Sequence, residues 1–208
     1  RPLGRGVRVS ERKTFYAESG RPPDGGDLEP KRGRNVVADL RTVLINRLQM
    51  SYQTIDFTIA DLTNEELHNR IPNAQLGTPA SIYLHVAWVD DMLVNHVLKG
   101  GAPVYDSEGW GEKMPEAPVH RGPSTFEWAW GVTVPDAATL MAYAAAVRPT
   151  VISYVEGLSD ADFDKTVSLF GQDMTIADVV TMLIWNIANH TGEIAALRGI
   201  AGKTGLPF

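Results

Sequence analysis

The stretch that decides the fold runs from Thr175 to Gly199 and reads TIADVVTMLIWNIANHTGEIAALRG. Thr175 and Asp178 have the spacing of a helix N-cap, and the helix that they start is predicted to end at Gly199. Apolar residues recur every three or four positions along it, as on the buried face of an amphipathic helix. Two polar side chains, Asn186 and His190, interrupt that face at a spacing that puts them one turn apart.

The same periodicity predicts three more long helices, over residues 36–62, 78–99 and 136–158. The second of these begins at Thr78-Pro79, where a hydroxyl cap precedes proline at the first helical position, and it stops at Gly100. Its predicted inward face carries His85 and His96. Strand signals are weak and no internal repeat is present. The sequence therefore predicts an all-α fold, a four-helix bundle over residues 35–208.

Two segments lack a helical period. Residues 101–134 form a long loop that contains Trp110, Trp128 and Trp130, and we expect it to pack across one end of the bundle. Residues 1–34 form an irregular basic arm with nine Lys and Arg against five Asp and Glu, a net charge of +4, whereas the rest of the chain carries −10. The arm is either a flexible tail or a segment that wraps an acidic neighbour, which is its own bundle or a partner subunit.

Composition excludes several classes of function. The chain has no cysteine, so a thiolate nucleophile and a cysteine-ligated metal are both excluded. The net charge of −6 disfavours general nucleic-acid binding. No run of about 18 apolar residues predicts a membrane span, and residues 1–6 lack the apolar centre of a signal peptide. We therefore expect a cytoplasmic protein.

The candidate site consists of His85 and His190, each on the apolar face of its helix, where a histidine is costly unless it has a partner. With Asn186 they offer three nitrogen or oxygen ligands from two helices, a usual beginning of a divalent-metal site. Glu193 adds a carboxylate three residues after His190. His96 lies about 16 Å along the helix from His85 and is too far away to share a metal with it. A hydrogen-bonded core histidine is the alternative interpretation.

Two motifs resemble those of the DinB/YfiT superfamily. The stretch TPASIYLHVAWVDD, residues 78–91, resembles its second-helix pattern, in which acidic residues follow a histidine about one turn later. Residues 186–199 resemble its last-helix pattern, H-x-x-x-H-x-G-[QE]-I followed by L-R-G. Residues 140–158 are similar to the third helix of the family. The resemblance covers residues 36–202 and leaves out the arm.

This resemblance implies an up-down-down-up bundle, usually dimeric, with a divalent metal such as zinc, nickel or iron held by three histidines. His85 matches the first of these ligands and His190 the third, but Asn186 stands at the second position. An amide oxygen is a weak neutral ligand for such metals. The resemblance therefore implies a site that binds metal weakly, that recruits Glu193 or Asp90, or that holds no metal.

Three hypotheses about function follow. By resemblance to thiol-dependent transferases and isomerases that use mycothiol, bacillithiol or similar thiols, the chain is a metal-dependent enzyme acting with a low-molecular-weight thiol. Alternatively, it is a non-catalytic accessory or binding subunit that assembles as a homodimer or through its arm, which Asn186 and the basic arm favour. A third hypothesis is a bundle that binds a small apolar ligand beside Tyr83, Trp88 and Trp185.

Overall fold

Four long helices make up most of the described chain, which in this computed structural model comprises residues 39–114 and 133–206. The long helices are α1 (Leu40–Ile59), α3 (Pro79–Asp91), α6 (Ala137–Gly157) and α8 (Ile176–Ile200), and a π-helical segment, Met92–Leu98, continues α3. The short helices in the connections are α2 (Asn64–Leu67), α4 (Val104–Ser107), α5 (Trp110–Lys113) and α7 (Asp160–Phe163). The prediction of an all-α bundle is confirmed. The predicted arm, residues 1–34, lies outside the described residues.

Each long helix begins at a side-chain cap. Thr78 accepts a hydrogen bond from the backbone N–H of Ser81, and Thr175 accepts one from the N–H of Asp178 in a capping box. Asp39 and Asp136 cap α1 and α6 in the same way. These caps satisfy N–H groups that have no partner inside the helix, so short-range sequence signals place the starts of α3, α6 and α8. The predicted start of the first helix at residue 36 is wrong, because the helix begins after the Asp39 cap.

The helices are arranged so that α1 packs against α6 and α8, and α3 packs against the same two helices. Thus α1 and α3 lie on one diagonal of the bundle, and α3 is buried on nearly every side, with Tyr83, Val86 and Ala87 all under 7% exposed. The predicted inward position of His96 is wrong: it lies in the π-helical segment after α3, is exposed, and has its Nδ1 3.0 Å from the Gly101 carbonyl oxygen. No helix in the two described ranges is long and apolar enough to cross a membrane.

The start of the predicted 101–134 loop is tied to the bundle by one carboxylate. Asp91 is fully buried and accepts hydrogen bonds from the backbone N–H groups of Val104 and Tyr105 and from the hydroxyl of Tyr143. Trp110 is buried with its ring centre 5.4 Å from that of Tyr143. This half of the segment forms α4 and α5, so the prediction of an irregular loop is wrong there. Trp128 and Trp130 lie outside the described residues.

Two other elements differ from the prediction. The last turns of the second long helix are π-helical, and the Lys99 N–H donates a hydrogen bond to the Val94 carbonyl oxygen. Within this segment the Asn95 side-chain amide donates hydrogen bonds to Asp91 and Thr150. A hairpin of β1 (Thr166–Leu169) and β2 (Gln172–Thr175) precedes α8. Its two turn residues are Phe170 and Gly171, both with positive φ. Two-residue turns of this kind favour Asn-Gly. Because Phe170 occupies the first turn position, the sequence lacks this signal and does not predict the hairpin.

Candidate functional site

The structure brings His85 of α3 and His190 of α8 into contact. Their ring centres are 4.9 Å apart and the ring planes are nearly perpendicular, at 80°. Both histidines are half-buried, and the side chain of His190 is 17% exposed. The helical faces predicted from sequence therefore converge at this histidine pair, His85 and His190, at one edge of the α3–α8 interface.

Glu193 holds the His190 ring. Its Oε2 lies 2.6 Å from Nδ1 of His190, one turn further along α8. The carboxylate is the acceptor of this bond, so Nδ1 carries the proton and Nε2 keeps the lone pair of the neutral ring. Metal-binding histidines usually have such a partner on their second nitrogen. The geometry makes Glu193 an orienting partner of His190 rather than a further ligand.

Asn186 lies one turn before His190 on α8 and is half-buried. Its Nδ2 is buried and has no hydrogen-bond partner within the described part of the chain. An unpaired buried amide donor is costly, because it has lost its bonds to water without gaining others. Asn186 therefore has an unused hydrogen-bonding capacity beside the histidine pair.

Asp90 does not lie at the histidine pair. Five residues separate it from His85, which turns its side chain by about 140° around the helix. It is fully buried and accepts a 2.8 Å hydrogen bond from the Tyr52 hydroxyl of α1, and its Oδ1 has no partner in the described ranges. Burial raises the pKa of Asp90 to about 7, and the charge of Asp91 adds to this, whereas Tyr52 and Arg148 oppose it.

Asp90 belongs to a buried polar cluster that sequence analysis missed, formed by Tyr52, Asp56, Tyr83, Asp90 and Arg148 between α1, α3 and α6. Arg148 makes two 2.7 Å hydrogen bonds to the Asp56 carboxylate, and the Tyr83 hydroxyl donates a third bond to it. The guanidinium also lies 4.6 Å from the Tyr52 ring centre. The sequence signal was an arginine beside the apolar face of α6, next to Val147.

A groove on the outer side of α8 is lined in part by His190 of the histidine pair. It has a volume of about 590 Å³, within the usual range of small-molecule sites. We call it the α8 groove, and the described residues that line it are Leu76, Trp185, Asn186, Asn189, His190, Gly192, Glu193 and Ala196. Seven of these eight described residues come from α8, so the groove runs along this helix.

The residues at the histidine pair fit a divalent metal with two imidazole ligands. Two imidazoles that bind one tetrahedral metal at about 2.0 Å have ring centres roughly 5 Å apart, which is close to the separation of the pair. Within residues 39–114 and 133–206 there is no group of three or more His, Cys, Asp and Glu side chains that could hold a metal. Asn186 lines the same groove as His190 and carries an amide oxygen, which is a weak neutral ligand.

Fold and site together define a four-helix bundle with a histidine pair on its second and fourth long helices. The DinB superfamily model matches residues 47–194, and the chain belongs to this superfamily. It is also similar to a conserved protein from Enterococcus faecalis whose crystal structure is known, with a TM-score of 0.69 and 20% identity. That match covers 77% of this chain and 96% of the other, and it shows a common fold. No curated protein matches the sequence.

Proposed function

We propose that the protein is a divalent-metal-dependent enzyme that acts with a low-molecular-weight thiol, as a transferase or isomerase. The observation that supports this most directly is the contact between His85 and His190, whose ring centres are 4.9 Å apart on two facing helices. In this proposal His85, His190 and Asn186 hold the cation, which is zinc, nickel or iron. A bound divalent cation would lower the pKa of a thiol and so supply the nucleophile at neutral pH.

The residues of the chain contribute orientation and access. Glu193 fixes the His190 ring through the 2.6 Å contact with Nδ1 and so points the Nε2 lone pair away from itself. The Asn186 amide is neutral and a weaker ligand than imidazole, so the site binds a cation less tightly than a site with three histidines. The α8 groove, which His190 lines, gives a small molecule access to the pair.

Metal titration of single-site variants tests this proposal. We expect His85→Ala and His190→Ala to weaken zinc or nickel binding, followed by calorimetry, by at least 100-fold, because each removes an imidazole ligand. Glu193→Gln should weaken it by 10- to 100-fold, the usual effect of losing a partner of a ligand. His96→Ala is the matched control, because that histidine is exposed and away from the pair.

Substitution of Asn186 tests the third position. Asn186→His should tighten metal binding by at least 10-fold, since it restores an imidazole where the amide stands. A wild-type protein that binds neither cation, with no change in thermal unfolding when either is added, would contradict the proposal. Equal affinity of His85→Ala and His96→Ala would contradict it as well.

The second candidate function is a non-catalytic binding or accessory subunit built on the same bundle. Asn186 favours it, because a site with one imidazole replaced by an amide is what loss of metal chemistry would leave behind. In that case Asn186→His binds metal and the wild type does not. The same titration therefore separates the two candidates.

A further inference from the structure

We propose that the α8 groove binds a flat, uncharged small molecule that carries a carbonyl group, with Trp185 as the stacking wall and Gly192 as the open floor. This extends the proposed function by naming what the molecule at the histidine pair looks like. Three features of the groove support it: an exposed tryptophan, a glycine that packing does not require, and a lining rich in amides.

Trp185 is the apolar wall. Its relative exposure is 66%, although tryptophan is among the side chains that gain most from burial. The half-buried Leu76, from the connection between α2 and α3, also lines the groove. An indole face left open beside an apolar side chain favours a planar partner, because flat groups stack on aromatic faces.

Gly192 forms the floor of the α8 groove. It lies inside α8, where glycine is unfavourable relative to alanine. A Cβ added to Gly192 would meet nothing in the described part of the chain within 4 Å, and the φ of Gly192 is not in the left-handed region, so neither packing among these residues nor the backbone conformation requires a glycine. The unfavourable helix propensity of Gly192 is explained if a molecule bound in the α8 groove occupies the space beside the Gly192 backbone.

The polar part of the lining defines the charge of this molecule. Asn186 and Asn189 contribute amides to the lining; the Nδ2 of Asn186 is buried, whereas the Asn189 side chain is exposed. No lysine or arginine is among the described residues that line the groove, and its one acid, Glu193, is held by His190. In the metal-free protein a carbonyl oxygen accepts a hydrogen bond from the exposed Asn189 amide, whereas a carboxylate or phosphate would find no lysine or arginine among the described lining residues to balance its charge.

The test uses benzamide and benzoate as matched probes on the metal-free protein, followed by ¹H–¹⁵N NMR. We expect benzamide, at millimolar concentration as for a small fragment, to shift the indole N–H of Trp185 and the side-chain amides of Asn186 and Asn189. Benzoate has the same shape but carries a negative charge, and it should bind at least 5-fold more weakly.

Two variants separate binding from folding. Gly192→Ala should weaken benzamide binding at least 5-fold while the midpoint of thermal unfolding stays the same or rises by about 2 °C, because alanine favours the helix. Gly199→Ala is the matched control: it lies on the same helix, its Cβ would also be in open space, and it does not line the groove. Trp185→Leu, at an exposed position, should also weaken binding at least 5-fold.

Several results would overturn the inference. The first is equal affinity for benzamide and benzoate, and the second is unchanged benzamide affinity in Gly192→Ala. The third is a Trp185 indole signal that responds only to protein concentration, which would mean that a second copy of the chain covers Trp185. Because no metal is added, these results do not depend on whether the histidine pair binds a cation, and failure of one proposal leaves the other open to its own test.

Discussion

Asp90→Asn should change how the stability of the protein depends on pH. The Asp90 carboxyl is fully buried, has one oxygen without a partner in the described chain, and has a pKa raised by burial to about 7 from an ordinary 3.8. Between these two values the folded protein holds a proton that the unfolded chain has released. The free energy of unfolding therefore falls as pH rises from about 4 to about 7, because the folded state must then accept a buried charge.

The size of this effect follows from the shift in pKa. A difference of about three pKa units corresponds to roughly 4 kcal/mol, since each unit is worth 1.36 kcal/mol. The protonated Asp90 carboxyl makes this contribution to the free energy of unfolding in full below about pH 4. The contribution is lost as the pH rises through about 7. An asparagine at position 90 does not ionise, and its side-chain oxygen still accepts the bond from the Tyr52 hydroxyl.

Urea unfolding from pH 4 to pH 8 measures this contribution. We expect Asp90→Asn to gain stability relative to wild type as pH rises, by up to about 4 kcal/mol at pH 8. The ionisable groups that interact with Asp90 include Tyr52, Arg148, Asp91 and Tyr143, and all are retained in the variant. The exposed Asp173→Asn serves as a control. If the difference between Asp90→Asn and wild type is the same at pH 4 and pH 8, the buried acid does not titrate as argued.

Two further substitutions test contacts that join distant parts of the chain. Arg148→Met should destabilise the protein by about 2–3 kcal/mol in urea unfolding, because the Asp56 carboxylate loses both hydrogen bonds in a partly buried pair; a loss below about 0.5 kcal/mol would show that the pair behaves like an exposed one. His68→Ala should cost about 1–2 kcal/mol and speed hydrogen exchange at the Val134 amide, which donates a 3.0 Å bond to His68 Nε2. Unchanged exchange at Val134 would contradict the role of His68 in holding the start of the segment before α6.

The helices and the histidine pair could be predicted because their signals are local or shared with a family. Thr78 and Thr175 bond to N–H groups three residues away, so the sequence around each shows the cap. The apolar period then places His85 and His190 on their helices. That these two helices face one another came from the resemblance to DinB proteins, since periodicity alone leaves the arrangement of four helices open.

The buried polar cluster could not be predicted in the same way. Arg148 and Asp56 are 92 residues apart in the chain, and Tyr52 and Asp90 are 38 apart. Each of these residues alone resembles an ordinary surface residue or a core aromatic. The resemblance instead suggests Asp90 as a residue that the histidine site recruits, because Asp90 is close to His85 in sequence, whereas the helix turns its side chain toward Tyr52 of α1.

The sequence by itself determined four amphipathic helices, the starting points of the last three and the superfamily to which the chain belongs, because hydrogen bonds and periodicity act over three or four residues. Tertiary structure alone decided which polar groups are satisfied. It gave Asp91 the backbone N–H groups of Val104 and Tyr105, gave Asp90 the hydroxyl of Tyr52, and left the Nδ2 of Asn186 buried with no partner in the described chain. The burial and partners of a polar group depend on how the helices pack, and no local rule contains that information.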